Sequence, residues 1–170
     1  SLIYIPQKAK PTWGNRAEHQ GEAKYPSLRD QLVGYWSPQL GPTGRTLFDA
    51  SGRSNNGIIT GAEWQKDSLS FDGIADVVAI PHSDAFDLPH KSTLMAWIRV
   101  TGGEGTNREF FSNDDSNAFH LLRVSSIEKV QLLARETGGT YLTDCISQSQ
   151  LTLGVWYFVA GVWNSGVGGS

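Results

Sequence analysis

Two stretches of this chain alternate with the period of a β-strand, and both carry apolar residues on both faces. In Ser92 to Val100, Leu94, Ala96, Ile98 and Val100 fall on one side, and Thr93, Met95, Trp97 and Arg99 on the other. In Val155 to Trp163, Trp156, Phe158, Ala160 and Val162 alternate against Tyr157, Val159, Gly161 and Trp163. Successive side chains of a strand point to opposite faces, so this pattern predicts strands. Apolar residues on both faces call for two sheets packed face to face, with extra aromatics at the rims. Trp36, Trp97 and Trp156 are read as core.

Shorter runs of the same kind recur at Leu32 to Trp36, Ser68 to Phe71, Val77 to Ile80, Phe110-Phe111, Phe119 to Val124, Lys129 to Arg135 and Thr140 to Ile146. Nineteen Gly and seven Pro supply the turns between them. Many short strands with turns, and no heptad or internal repeat, predict an all-β fold: a two-sheet antiparallel jelly-roll sandwich. The edge of Val155 to Trp163 then needs a cover, from a segment such as Leu2 to Ile5 or from another copy, because an open edge invites pairing.

Residues 1–31 have a different texture. Pro6, Pro11 and Pro26, with Gly14 and Gly21, interrupt any helix or central strand. They read as an extended N-terminal arm, with 32–170 as the jelly-roll domain. Ile3 and Tyr4 would add a strand to a sheet edge, and Trp13 and Tyr25 would anchor the arm on a neighbouring chain. The arm holds five Lys/Arg against three Asp/Glu, while the remainder holds nine against fourteen. The plainer reading is ordinary solubility charge, and the sharper one is a mildly basic arm that docks on an acidic neighbour.

Composition removes several function classes. The net charge is −3, which argues against a general nucleic-acid binder. Mean hydropathy is −0.30 and the apolar runs are short, so membrane insertion is not expected. Cys145 is the only cysteine, so no disulfide forms within the chain. The opening Ser1-Leu2-Ile3-Tyr4-Ile5-Pro6 lacks a basic region and a long apolar run, so it does not read as a signal peptide.

Two turns concentrate oxygen ligands. Asp49-Ala50-Ser51-Gly52-Arg53-Ser54-Asn55-Asn56-Gly57 comes first, and Ser70-Phe71-Asp72-Gly73-Ile74-Ala75-Asp76-Val77-Val78 follows. Calcium takes six to eight oxygens, so Asp49, Asn55, Asp72 and Asp76 are candidate ligands for Ca2+. The other reading is a pair of Asx turns, with Gly52 and Gly57 at positive φ. Sugar rings stack on exposed aromatics, which makes Trp64, Tyr141 and Trp163 candidate glycan contacts. Catalytic residues are not expected. Glycosidic cleavage needs paired carboxylates, and Glu128 and Glu136 stand too far apart along their strand to cooperate.

In their order, Leu32-Val33-Gly34-Tyr35-Trp36, the Asp49–Gly57 turn, Leu69 to Val78, Ser92 to Arg99 and Trp156 to Val162 resemble the laminin-G-like, concanavalin A-like jelly rolls, in the branch related to pentraxins. That resemblance implies two curved antiparallel sheets, binding of sugars or protein surfaces, and often a structural calcium. Its members continue past the strand ending near Trp163 with further strands, so the expectation here is a sandwich that is incomplete, one completed by another segment or chain, or a sequence that is a fragment. The opening Leu2-Ile3-Tyr4-Ile5-Pro6 before such a domain resembles tailed-phage and prophage virion proteins. The expected function is therefore a non-catalytic structural or adhesion module of a multi-copy assembly. It would be a virion decoration or attachment component made in the host cytoplasm, and its partners other protein chains and glycans. The alternative is a calcium-dependent lectin module of a secreted, extracellular or cell-surface protein.

Overall fold

The computed structural model describes residues 3–4, 31–38, 41–86, 91–115, 118–135 and 141–164. The regular elements among them are mainly strands, with a 3-10 turn at Asp84–Phe86. In chain order the strands are β1 (Ile3–Tyr4), β2 (Thr46–Leu47), β3 (Gly57–Thr60), β4 (Glu63–Trp64), β5 (Leu69–Ser70), β6 (Val77–Ala79), β7 (Lys91–Arg99), β8 (Arg108–Asp115), β9 (Ala118–Val124), β10 (Lys129–Arg135), β11 (Tyr141–Gln150) and β12 (Trp156–Asn164). The expected all-β class and jelly-roll sandwich hold. Every pairing among the described residues is antiparallel. The chain forms two compact units: Thr12–Asp87, and Ser1–Pro11 with Leu88–Ser170.

The larger unit is a two-sheet sandwich. One sheet runs β1-β12-β7 and the other β11-β10-β9-β8. Between them lie Leu94, Leu122, Val124, Val130, Leu132, Ala134, Tyr157, Val159 and Trp163, all buried in one cluster. Alternation selects this face: on β12, Tyr157, Val159, Gly161 and Trp163 are buried, while Trp156, Phe158, Ala160 and Val162 face away. Gly161 is the tightest point. A Cβ there would come within 3.1 Å of both Leu122 Cδ1 and Leu132 Cδ1, so the missing side chain lets β12 lie flush on the other sheet. Burying a Leu- or Val-sized side chain stabilises by about 1.5–3 kcal/mol, so this cluster is the main apolar contribution of the unit.

Local chemistry shapes the ends of the sandwich. A register shift between Glu109 and Phe111 lets the consecutive Phe110 and Phe111 both pack on the core, which a regular pleat forbids. The buried Tyr157 hydroxyl accepts from Thr152 N–H at 3.0 Å, so its polar end is satisfied. The β9–β10 turn places Glu128 at φ 59, a left-handed position that non-glycine residues rarely take. Arg108 clasps it there, with Nη2 2.7 Å from Glu128 Oε2 and Nη1 donating to Gly102 O.

The predicted cover for the Val155–Trp163 edge is present. β1 pairs with β12 in the register Ile3↔Gly161 and Tyr4↔Ala160. Trp13 and Tyr25 lie outside the described residues. Two expectations need correction. Trp97 and Trp156 are half-buried on the outer face of the β7–β12 sheet, because the opposite face of each strand carries the residues that fill the core. The run Leu32 to Trp36 forms a single bridge, Trp36↔Asp49, in place of a strand.

The smaller unit is built from β2-β3-β6 and the β4-β5 hairpin. Leu47, Ile59 and Ala62 form its core, with Trp36, Trp64, Leu69 and Val78 packed on them. Ile58 on the other face of β3 is 53% exposed.

Candidate functional site

The Asp49 turn is assembled around one carboxylate. Its Oδ1 accepts from Tyr35 N–H at 2.9 Å and Ser51 N–H at 2.8 Å. Its Oδ2 accepts from the Ser51 hydroxyl at 2.7 Å and Asn55 N–H at 3.0 Å. Asn55 then reaches back, donating from Nδ2 to Val33 O at 2.9 Å, while its own carbonyl accepts from Trp36 Nε1 at 2.7 Å. The turn thus stitches the 32–36 run to the rest of the unit without a ladder. Partial burial pushes the Asp49 carboxyl up, but the donors from Tyr35, Ser51 and Asn55 outweigh it and hold the group below the ordinary aspartate range. Gly52 adopts φ +88 as expected, but Gly57 does not take positive φ. It is buried on β3, where a Cβ would meet Val78 Cγ1 at 2.5 Å, so close packing selects glycine there. Ser54, at φ 63, takes the second left-handed position.

Asp72 and Asp76 close a separate turn. Asp72 Oδ1 accepts from the N–H groups of Ile74 at 2.8 Å and Ala75 at 3.2 Å. Asp76 Oδ2 accepts from Asp72 N–H at 2.8 Å. Those amides hold the Asp72 carboxyl below its ordinary value. The turn projects Ile74, which is 89% exposed.

The structure brings Asp49 together with Asn55, and Asp72 with Asp76. Each of the two Asp49 oxygens already serves two donors, which uses the lone pairs that a cation needs. No group of three His, Cys, Asp or Glu able to hold a metal ion occurs among the described residues. The donors on Asp49 are those of a hydrogen-bonded clasp.

The aromatic candidates also divide. Trp163 is 3% exposed and belongs to the sandwich core, so it cannot stack on a sugar; its strand turns that face inward. Trp64 is half-buried on the smaller unit's core and donates from Nε1 to Gly44 O at 2.7 Å. Tyr141 opens β11 opposite Arg135, and its side chain lies outside the described residues.

A different set of residues makes the more coherent surface. On the outer face of β7 and β12, Trp97 stands opposite Phe158, with ring centroids 5.6 Å apart. Arg99 stands opposite Trp156, with its guanidinium carbon 5.3 Å from the ring centroid. Met95, opposite Ala160, is 59% exposed, and Val162, opposite Thr93, is 41% exposed. The result is an aromatic and apolar strip across two strands, with Arg99 at one end. The other sheet carries a polar row on its outer face: Arg123 Nε donates to Gln131 Oε1 at 2.9 Å, and Gln131 Nε2 to Asp144 Oδ1 at 2.7 Å. The sequence carried a signal for the strip, since Met95 and Trp97 alternate on β7 and Trp156 and Phe158 on β12. Alternation separates the faces without saying which one turns inward.

These features can be set beside known proteins. A family profile described as the concanavalin A-like lectin/glucanases superfamily, of laminin-G type, matches residues 71–169. No curated protein matches the chain. Among solved structures, the 2.1 Å crystal structure of residues 221–444 of an S-layer domain-containing protein from Clostridium thermocellum is similar, with 25% identity and a TM-score of 0.55. The similarity covers 72% of this chain and 60% of that one.

Proposed function

Because this chain belongs to the concanavalin A-like lectin/glucanase superfamily, we propose that it is a non-catalytic binding and structural module that works in many copies on a biological surface. The observation that carries this reading is the outward strip of Met95, Trp97, Phe158, Trp156 and Arg99 on β7 and β12. Aromatic and Arg side chains of this kind dominate protein contact surfaces, and aromatic faces also receive sugar rings. The likeness to an S-layer domain-containing protein supports a surface layer of repeated copies as the setting. A virion, with the module as a decoration or attachment component, is the other setting of the same kind and rests on the character of the N-terminal arm. The reading as a non-enzyme rests on the sequence, in which no strand carries two glutamates around an aspartate.

The competing reading is a calcium-dependent lectin of an extracellular protein. A glycan array probed in calcium and again in chelator separates the two. The proposed module gives the same signal in both conditions, and its melting temperature does not respond to calcium. Calcium-dependent retention, with a melting temperature that rises on adding calcium, would establish the lectin and overturn the metal-free reading of the Asp49 turn.

A further inference from the structure

The smaller unit presents an apolar surface of its own. Thr46, Ile58 and Ala79 stand in one cross-strand row of the β2-β3-β6 sheet, and Thr60 and Val77 stand in the next. Leu47, Ile59 and Val78 take the core side of the same strands, so alternation turns those two rows outward. Ile58 and Val77 are 53% and 48% exposed. The solvent face of an antiparallel sheet ordinarily carries polar residues, yet here Ile58, Val77 and Ala79 fill it beside the two threonines. The turn leading into β6 extends the surface with Phe71 and Ile74, both exposed. Amides of Ile74 and Ala75 on Asp72 Oδ1 fix the shape of that turn. It is seated beside Thr60, because a Cβ on the next residue, Gly61, would overlap Asp76 Oδ1. A surface already held in shape loses less entropy when a partner covers it.

Charge decides what fits this surface. From Asp67 to His90 the sequence carries five aspartates and no Lys, Arg or Glu. Residues 31–86 hold three Lys/Arg against six Asp/Glu. Like charge repels nucleic acid and anionic lipid. The two outward rows are aliphatic, so they give a sugar ring no π face to stack on. An apolar face flanked by carboxylates complements a segment in which apolar and basic residues alternate. We infer that the outward face of the β2-β3-β6 sheet, with the Asp72–Asp76 turn at its end, is a docking surface for a cationic amphipathic segment of another protein. Apolar side chains of that segment cover Ile58, Val77 and Ile74, and its basic side chains meet Asp72 and Asp76. The surface belongs to a different compact unit from the strip on β7 and β12, and its occupant does not depend on the reading of that strip.

The test titrates the full isotope-labelled chain with a synthetic peptide of alternating Leu and Lys and follows the backbone amides by NMR. Peptides of alternating Leu and Glu, and of alternating Ser and Lys, are the controls for charge and for apolar contact. The expected result is a set of shifts concentrated at Ile58–Thr60 and Ile74–Ala79, with binding weakened by added salt and by either control peptide. Ile58→Ser and Ile74→Ser should each lower the affinity about tenfold. Circular dichroism checks folding, and should Ile58→Ser disturb it, Ile74→Ser alone carries the comparison, since that side chain is almost wholly in water. Absence of binding, shifts concentrated on β7 and β12, equal binding of the Leu-Glu peptide, or wild-type affinity in Ile74→Ser would each overturn the inference. Vesicles of phosphatidylcholine with phosphatidylserine complete the test. Vesicle binding that Ile74→Ser abolishes, with no effect of that variant on the Leu-Lys peptide, would make the turn a membrane contact and overturn the protein partner.

Discussion

Four donors from three residues converge on the Asp49 carboxylate, and a single substitution tests what they hold. Asp49→Ala strands these donors in a half-buried turn. The expected cost is about 2 kcal/mol, read as a lower unfolding midpoint in urea. The pH dependence follows from the sign of the shift. The folded-state pKa of Asp49 lies below the unfolded value, so its contribution is complete above about pH 4 and is lost as pH falls through the lower folded pKa. The wild-type chain should therefore lose more stability than Asp49→Ala between about pH 4.5 and pH 2. Parallel acid profiles would show that the carboxylate is not the clasp. At this scale the sequence was legible in part. It placed Asp49 in a turn with Asn55, but it could not tell an Asx clasp from a metal shell. Both use the same oxygens, and the donors Tyr35 N–H and Asn55 N–H come from positions that no sequence pattern marks.

Among the elements, β12 shows both the reach of pattern reading and its limit. Strict alternation fixed its span to within a residue, and the resemblance, whose members continue past this strand, called for a cover on its edge, where β1 pairs. Alternation left open which face is inside, since Trp156 and Phe158 are as apolar as Tyr157 and Trp163. The small residue settles it. Gly161 stands where β12 presses on Leu122 and Leu132, and a core-facing glycine in a strand marks a close approach. Gly161→Val would force methyl groups into those leucines and should cost about 1–3 kcal/mol, measured as a lower melting temperature. Gly102→Val meets nothing within 4 Å and serves as the control. A neutral Gly161→Val would mean that the two sheets pack less closely than described. The short elements of the smaller unit were less legible, because side-chain clasps such as Trp36 Nε1 to Asn55 O leave no periodic trace.

For the molecule as a whole, composition and strand pattern were enough to reach an all-β sandwich, because two-sided apolar strands have few other solutions. The division into a unit at Thr12–Asp87 and a unit that contains both β1 and β7–β12 left no such trace, since it depends on which edge a two-residue strand joins. The central claim is that the outward face of β7 and β12 is a contact surface of a multi-copy protein. Met95 reports on it best: it is 59% exposed, lies in that strip, and takes no part in the core. Sedimentation velocity across a concentration series, comparing the wild-type chain with Met95→Lys, is the direct measurement. The account predicts that the wild-type chain associates as concentration rises, while Met95→Lys associates more weakly with an unchanged melting temperature. Equal association of the two proteins, or a wild-type chain that remains monomeric throughout, would contradict it.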